Sequence, residues 1–394
     1  MSGIHAPVRF FLGANTPGGF VGYIDDLYDA KDGWQAYIIK SGPGTGKSSL
    51  MRAVLDKLTD LGQEAEVICC SSDPNSLDGV LFPAMKMCIL DGTAPHVIEP
   101  SYWGAVEQII PLASCMDTAL LHRQAPAVIA ATDANKAMHA RCRKFLGAAA
   151  SLIGDSTRIA AECTDEAKAV RCAARIAARE FGPLSETPGR EKRRFLSAVT
   201  PDGLITFHET LQALCPRIYA VEDDYGAASR LFFTELRQRA LAAGLDIITC
   251  ACPLAPYDKI EHLLVPSLGL GFTTSNPWHK ADFPVYRRIH AARFTDAEKL
   301  RLKRQLLSFN RRAARELLGE AVAISAEAKA LHDKMEQFNI AAMDWQQAED
   351  ITRSTATLFA AAALGAADWK RSSSSIFFLL NYFISMGFKV SVAV

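Results

Sequence analysis

The chain has 394 residues, of which 49% are hydrophobic and 22% charged, with Lys plus Arg and Asp plus Glu equal at 43 each. That length asks for two domains or lobes rather than one core, and the balanced charge excludes a global field drawing the chain to nucleic acid or an anionic membrane. Ten cysteines, with no CxxC pair and no signal-peptide pattern around Arg9, read as buried free thiols of a cytoplasmic protein.

The first segment alternates strand and helix signals. Trp34–Lys40 is an apolar run rich in aromatic and branched residues, followed at once by a glycine-rich turn. From Lys47 to Leu61 the apolar residues Leu50, Met51, Val54, Leu55, Leu58 and Leu61 recur at helical spacing, and Gly62 stands where a helix C′ glycine belongs. Glu66–Cys70 and Met85–Leu90 read as short buried strands. Strand, turn, helix and strand in this order predict an α/β fold with a parallel sheet of the P-loop NTPase type.

The turn between the first strand and its helix is Ser41-Gly-Pro-Gly-Thr-Gly-Lys-Ser-Ser49. In a GxxxxGK[ST] loop the glycines let successive backbone N–H groups turn inward around phosphate oxygens, and the following helix N-terminus adds partial positive charge. Gly42, Pro43, Gly44, Thr45, Gly46, Lys47, Ser48 and Ser49 are the expected nucleotide-binding residues, for ATP with Mg2+. Lys47 is expected to reach the β- and γ-phosphates and the Ser48 hydroxyl to ligate the magnesium ion. Thr45 and Ser49 would assist the phosphates or cap the helix. One position departs from the motif: Ser41 stands where the first glycine belongs.

A magnesium-organising carboxylate belongs at the end of a neighbouring strand. Asp91, directly after Met87–Leu90, is the first choice for metal binding and catalysis. Asp73, in Cys70-Ser-Ser-Asp-Pro74, is the second, near the attacking water. Each also reads as a turn residue, Asp73 before Pro74 and Asp91 before Gly92. Asp78 and His96 are weaker candidates, favoured by proximity alone.

From Met116 to Phe181 an Ala- and Arg-rich stretch with helical periodicity predicts an antiparallel helical hairpin. Its arginines 123, 141, 143 and 158 suit a phosphate-binding lid, as in a kinase, or equally a solvated helix face. Residues 182–194 are polar with Pro and Gly, a linker between a first lobe, 1–181, and a second, 195–370.

The second lobe repeats the first. Thr16-Pro-Gly-Gly-Phe20 returns 184 residues later as Thr200-Pro-Asp-Gly-Leu204. Tyr37 returns as Tyr219 and Gly62 as Gly244, both 182 residues on; Pro83 returns as Pro266 and Pro95 as Pro277. A second helical stretch, about 296–352, follows. Five ordered landmarks at nearly one offset indicate an internal duplication. Aligned on the tyrosines, Gly44 meets Gly226, Lys47 meets Ser229, Ser48 meets Arg230 and Asp91 meets Thr273. Lysine, hydroxyl and acid are absent there together, and Glu222, Asp223 and Asp224 add charge that repels phosphate. One functional nucleotide site is expected, in the first lobe. Arg230 is a finger candidate only if the lobes face each other.

Between Arg287 and Arg315 ten basic residues stand against Asp296 and Glu298, a local net of +8. That stretch suits a nucleic-acid-binding module or a solvated helix face. Residues 371–394, a serine run and then an apolar segment, are too short for a confident membrane span and read as a packed terminal element or an interfacial anchor.

With these residues in view, the chain resembles an uncharacterised bacterial family of duplicated P-loop ATPase-like proteins. The matching stretches are Gly13–Phe20, the glycine-rich turn, Cys70–Gly79 and Ile89–His96, and the resemblance runs to about Trp345. It implies ATP binding and leaves the substrate open. The expected function is an ATPase or ATP-dependent switch acting through its helical hairpins on a protein partner; the alternative is a small-molecule or nucleotide kinase.

Overall fold

The structure is a computed structural model that describes residues 8–365; the apolar tail at 371–394 lies outside the described residues. The first half contains strands β1 (Val8–Phe11), β2 (Gly13–Thr16), β3 (Gly19–Gly22) and β4 (Gln35–Ile39), then helix α1 (Lys47–Asp60). It continues with β5 (Glu66–Cys69), β6 (Leu77–Phe82), β7 (Met87–Asp91) and β8 (Glu107–Ile110), then α2 (Thr118–Arg123), α3 (Ala125–Ala161) and α4 (Glu166–Glu180). The second half opens with β9 (Glu191–Arg194), β10 (Ser197–Thr200), β11 (Gly203–Thr206), α5 (His208–Leu214), β12 (Arg217–Glu222) and α6 (Ala227–Ala242). It closes with β13 (Ile247–Cys252), β14 (Ala255–Val265), β15 (Leu270–Ser275), β16 (Arg287–His290), α7 (Ala297–Leu302), α8 (Arg304–Ala342) and α9 (Trp345–Ala363).

The fold is α/β with two mixed, mostly parallel six-stranded sheets, and the duplication is visible strand by strand. One sheet has the order β1-β5-β6-β7-β4-β8 and the other β9-β13-β14-β15-β12-β16. In each, the central strand, β4 or β12, pairs in parallel with both neighbours, and one antiparallel hairpin, β6–β7 or β14–β15, lies beside it. Strands β4 and β7 are buried almost throughout, as parallel strands covered on both faces must be. The small hairpins β2–β3 and β10–β11 repeat even a side-chain bond: Thr16 Oγ1 donates to Gly19 O and Thr200 Oγ1 to Gly203 O, both at 2.8 Å.

Helix phase repeats too. Leu50, Met51, Val54 and Leu58 are the buried residues of α1; 182 positions on, Phe232, Phe233, Leu236 and Ala240 are buried in α6. Strand register corrects one expected equivalence. Tyr37 pairs with Ile89 and Tyr219 with Phe272, so Asp91 corresponds to Thr274, not Thr273. The one-residue difference coincides with the irregular register of β13 against β14 at Cys250–Cys252.

By compactness the chain forms two units. The larger contains the N-terminal residues to Leu27, Val67–Asp78 and Gln124–Gln337; the smaller contains Tyr28–Glu66, Gly79–Arg123 and the chain from Phe338. In the larger unit α4 packs on α6, around a core that includes Ile176, Phe181, Tyr219, Phe232, Phe233 and Phe272. In the smaller unit α9 packs on α1, and Phe359 lies against Tyr37 and Phe82.

The expected hairpins therefore take a different form. Helix α3 runs antiparallel to α8, bonded at Thr132–Met335, Asn135–Ala328, Cys142–Ala321 and Asn310–Asp155. The helix after each long helix covers a sheet that its own half of the sequence did not build. Local periodicity predicts a helix but not the surface it covers, because an apolar stripe fits any sheet face of matching shape. The expected linker is also partly structured: Glu191–Arg194 is the edge strand β9, parallel to β13.

Candidate functional site

After Ile39 the chain leaves β4, turns through residues 41–46 and enters α1. Gly44 and Gly46 have φ of +71° and +87°, in the left-handed region that favours glycine. Gly46 is the N-cap of α1 and no side chain caps that helix, so its first N–H groups are not taken by a capping side chain. The Thr45 hydroxyl closes the turn by donating to Gly42 O at 2.8 Å, while Ser49 is exposed on the helix. Ser41 is buried and its hydroxyl points to Met116 Sδ at 3.8 Å.

Lys47, the first helical residue, folds back over the turn. Its Nζ donates to Gly42 O at 2.6 Å and Ser41 O at 3.3 Å. It also lies 3.6 Å from Asp91 Oδ2, both side chains being mostly buried. The parallel register pairs Ile39 with Asp91, so the turn and the acid stand at the carboxyl ends of adjacent strands. The two oxygens of Asp91 divide their partners: Oδ1 accepts from Thr93 N at 2.9 Å and from the Thr93 hydroxyl, and Oδ2 faces Lys47. The turn reading and the charge-pair reading of Asp91 thus hold together. Ser48 is the next residue of the same first helical turn. An ammonium and a helix N-terminus suit a polyanion, and a carboxylate beside them suits the cation that accompanies it.

Asp73 belongs to the larger unit, where Oδ1 accepts from Asn75 N at 3.2 Å and Oδ2 lies 3.5 Å from Lys329 Nζ. Asp78 and His96 are both buried. Arginines 123, 141, 143 and 158 are exposed, and Arg158 is bound by Asp155 and Glu162 of its own helix. In the basic stretch, Arg288 pairs with Glu222, Arg301 with Glu298 and Arg311 with Asp224. Glu298 is already counted in the local net of +8, so the two partners from outside the stretch, Glu222 and Asp224, lower it to +6.

Two residues of the turn's surroundings carried no signal in the sequence. Asn339, near the end of α8, donates from Nδ2 to Pro43 O at 2.8 Å, and a side chain at Gly42 would meet that amide at 3.0 Å. Trp345, at the start of α9, lies where a Cβ on Gly46 would touch its ring at 3.4 Å. The junction is held in place by Asp117 N donating to Ala342 O at 2.7 Å and Asp344 N donating to Cys115 O at 2.8 Å. Nearly 300 residues separate Asn339 from the turn, which no local pattern spans.

In the corresponding turn of the second half an acidic side chain occupies the space between the amides. Helix α6 begins at Ala227, two positions earlier than α1 in the duplicated numbering, with Gly226 as N-cap at φ +78°. Asp223, at the position of Ser41, turns its carboxylate into the turn. It accepts from Tyr225 N at 3.2 Å, Gly226 N at 3.0 Å and Ser229 N at 2.7 Å. The amides of Gly226 and Ser229 correspond to those of Gly44 and Lys47, so an internal anion fills this cradle. Arg230 lines a cavity in the larger unit together with Lys259, Asn276 and Trp278.

Comparisons with protein-family models, with curated proteins and with solved structures return no match. Among the described residues no helix is long and apolar enough to cross a membrane.

Proposed function

We propose that this chain is an ATP-binding protein of the P-loop NTPase type, an ATPase or ATP-dependent switch with one functional nucleotide site at Ser41–Ser49. The family resemblance of the sequence belongs to the same proposal. The observation that carries it is the Lys47–Asp91 pair at the carboxyl ends of adjacent parallel strands, beside an uncapped helix N-terminus. In this reading Lys47 would turn from the loop carbonyls to the β- and γ-phosphates of bound ATP. Ser48 and Asp91 would hold a magnesium ion, whose role is to neutralise phosphate charge, and the backbone amides with Lys47 would stabilise charge on the γ-phosphoryl. The Thr93 bonds to Asp91 Oδ1 keep its other oxygen oriented. Asn339 and Trp345 support the loop, which ties nucleotide binding to the α8–α9 junction and gives a switch its lever. A protein partner acting through the long helices fits this arrangement.

The test is Mg2+-dependent ATP binding and phosphate release by the purified chain and Lys47→Ala, with no added acceptor. Binding and slow release by the wild type, both lost in the variant, support the reading. Binding without release redirects it to phosphoryl transfer onto an acceptor. Absence of binding removes it.

A further inference from the structure

The second half holds an unused set of buried groups below its closed turn. Glu261 and His262 lie on β14, and His279 follows β15. All three are more than nine-tenths buried, and their ligand-type atoms lie within 4.8 Å of one another. Nothing in the nucleotide reading uses them.

Hydrogen bonds set which atoms face inward. Thr273 Oγ1 spends its single proton on Thr274 O at 3.1 Å, so at 2.8 Å from His262 Nδ1 it accepts. With the Thr273 proton on Thr274 O, the Nδ1–H tautomer of His262 is the one that satisfies both contacts, and it carries a lone pair on Nε2. That Nε2 is wholly buried and has no hydrogen-bond partner among the described residues. On His279, Nδ1 faces the Asn276 amide nitrogen at 3.4 Å while Nε2 contacts Thr274 Oγ1 at 3.1 Å. Asn276 donates to Nδ1 through that long contact, and the same nitrogen lies 3.9 Å from Glu261 Oε2. Glu261 Oε1 accepts from Lys259 Nζ at 2.9 Å and Oε2 from Ser197 Oγ at 3.3 Å, and the Cys252 thiol is bonded to the same carboxylate.

The unpartnered Nε2 of His262, the weakly bonded Nδ1 of His279 and the Glu261 carboxylate are thus brought into one buried space. A buried nitrogen lone pair without a partner is costly unless a donor or a cation meets it.

We propose that Glu261, His262 and His279 form a binding site for one divalent transition-metal ion of the zinc class. Two nitrogens and one carboxylate oxygen suit zinc and exclude the all-oxygen preference of magnesium or calcium. Threonine hydroxyls bonded to the far nitrogen of each imidazole are the support that metal-binding histidines use to fix tautomer and ring orientation. The Cys252 thiol, hydrogen-bonded to Glu261, is the nearest further donor.

The duplication supplies a second line of support. Cys252, Glu261 and His279 stand 182, 183 and 183 positions after Cys70, Asp78 and His96. Within the larger unit Cys70 lies against Asp78 as Cys252 lies against Glu261. The second half has lost the lysine and the serine of its turn yet keeps the thiol, the acid and the imidazole. These groups therefore have a purpose separate from the nucleotide.

The experiment uses the full chain with any affinity tag removed. Zinc content is measured by plasma mass spectrometry after gel filtration, and chelator-stripped protein is titrated with Co2+ while d–d absorption is recorded. The expected result is about one metal per chain, with a cobalt spectrum of nitrogen and oxygen ligation. His262→Gln and His279→Gln should each weaken binding at least about tenfold, the scale on which loss of even a supporting group acts. Lys47→Ala and the surface variant His332→Gln should bind as the wild type does. Thermal unfolding shows whether each variant is folded, and Glu261→Gln replaces either histidine variant that is not. No metal and no cobalt absorption in the wild type overturns the proposal. So does metal that survives in the folded variants, because it is then bound elsewhere.

Discussion

Two turns of the same ancestry lead from a central strand into a helix, and they differ in what fills the space between their amides. At Ser41–Gly46 the position that opens the turn is a serine whose hydroxyl faces Met116, and the lysine at the helix start lies across loop carbonyls that a ligand can displace. At Asp223–Gly226 the same opening position is an aspartate, and its carboxylate holds three amides of the turn and helix start. One turn keeps an anion's place available, and the other carries its own anion covalently. In the proposed reading, loss of the lysine weakens a phosphate site and a carboxylate bonded to the same amides closes it. The helix start moves with it, since α6 takes up two residues that the other half leaves in the loop.

The sharpest way to break this contrast is at Lys47. Lys47→Ala should abolish both ATP binding and phosphate release, read by calorimetry and a phosphate assay, while Asp91→Asn should keep binding and slow release by about 10²-fold. If Asp91→Asn turns over normally, the acid is only the turn residue that its bonds to Thr93 allow.

Next in size is the closed turn. Asp223→Ala leaves buried N–H groups without an acceptor and should cost about 2 kcal/mol of stability by denaturant unfolding. Millimolar phosphate or sulfate should restore part of that loss in the variant and leave the wild type unmoved. An unaffected variant would mean that the carboxylate does not fill the cradle in solution.

A smaller effect is expected at the strut. Asn339→Ala removes one neutral hydrogen bond to Pro43 O, worth about 1 kcal/mol, and should weaken ATP binding about fivefold if the loop needs that support. Unchanged affinity would separate the α8–α9 junction from nucleotide binding.

The smallest effect is a pH dependence on the sheet of the closed turn. Burial would raise the Glu191 carboxyl, but bonds from Arg237 and Thr249 outweigh it and hold it below its ordinary value. A depressed carboxyl stabilises the fold above its unfolded pKa of about 4.3 and loses that contribution as pH falls through the lower folded value. Glu191→Gln should therefore cost no more than about 1 kcal/mol near neutrality, and the gap to wild type should narrow in acid unfolding below about pH 4.

The residues of the open turn were legible because their chemistry is local. Glycines at fixed spacing and a lysine and a hydroxyl at a helix start sit within one strand–turn–helix unit, and the acid ends β7, the strand that pairs with β4. The duplication was legible for the same reason, though the register at β15 shifted one equivalence by a residue. Asn339 and Trp345 were not, since each reaches the turn from a helix at the far end of the chain. The acid–imidazole cluster was only half visible: Asp78 and His96 drew notice, while their counterparts Glu261 and His279 come together through the pairing of β14 with β15.

Sequence by itself determined the strand–turn–helix order around residues 34–90, the long helical stretches and the repeated plan, because each depends on backbone preferences and side chains a few residues apart. Tertiary structure decided which helix covers which sheet: α9 lies on α1 and α4 on α6. It also decided that an aspartate would close the second turn and that two histidines and a glutamate would share one buried space. Those outcomes depend on the distance between atoms far apart in the chain, and that distance is fixed only when apolar faces without a sequence-encoded address find the surface that fits them.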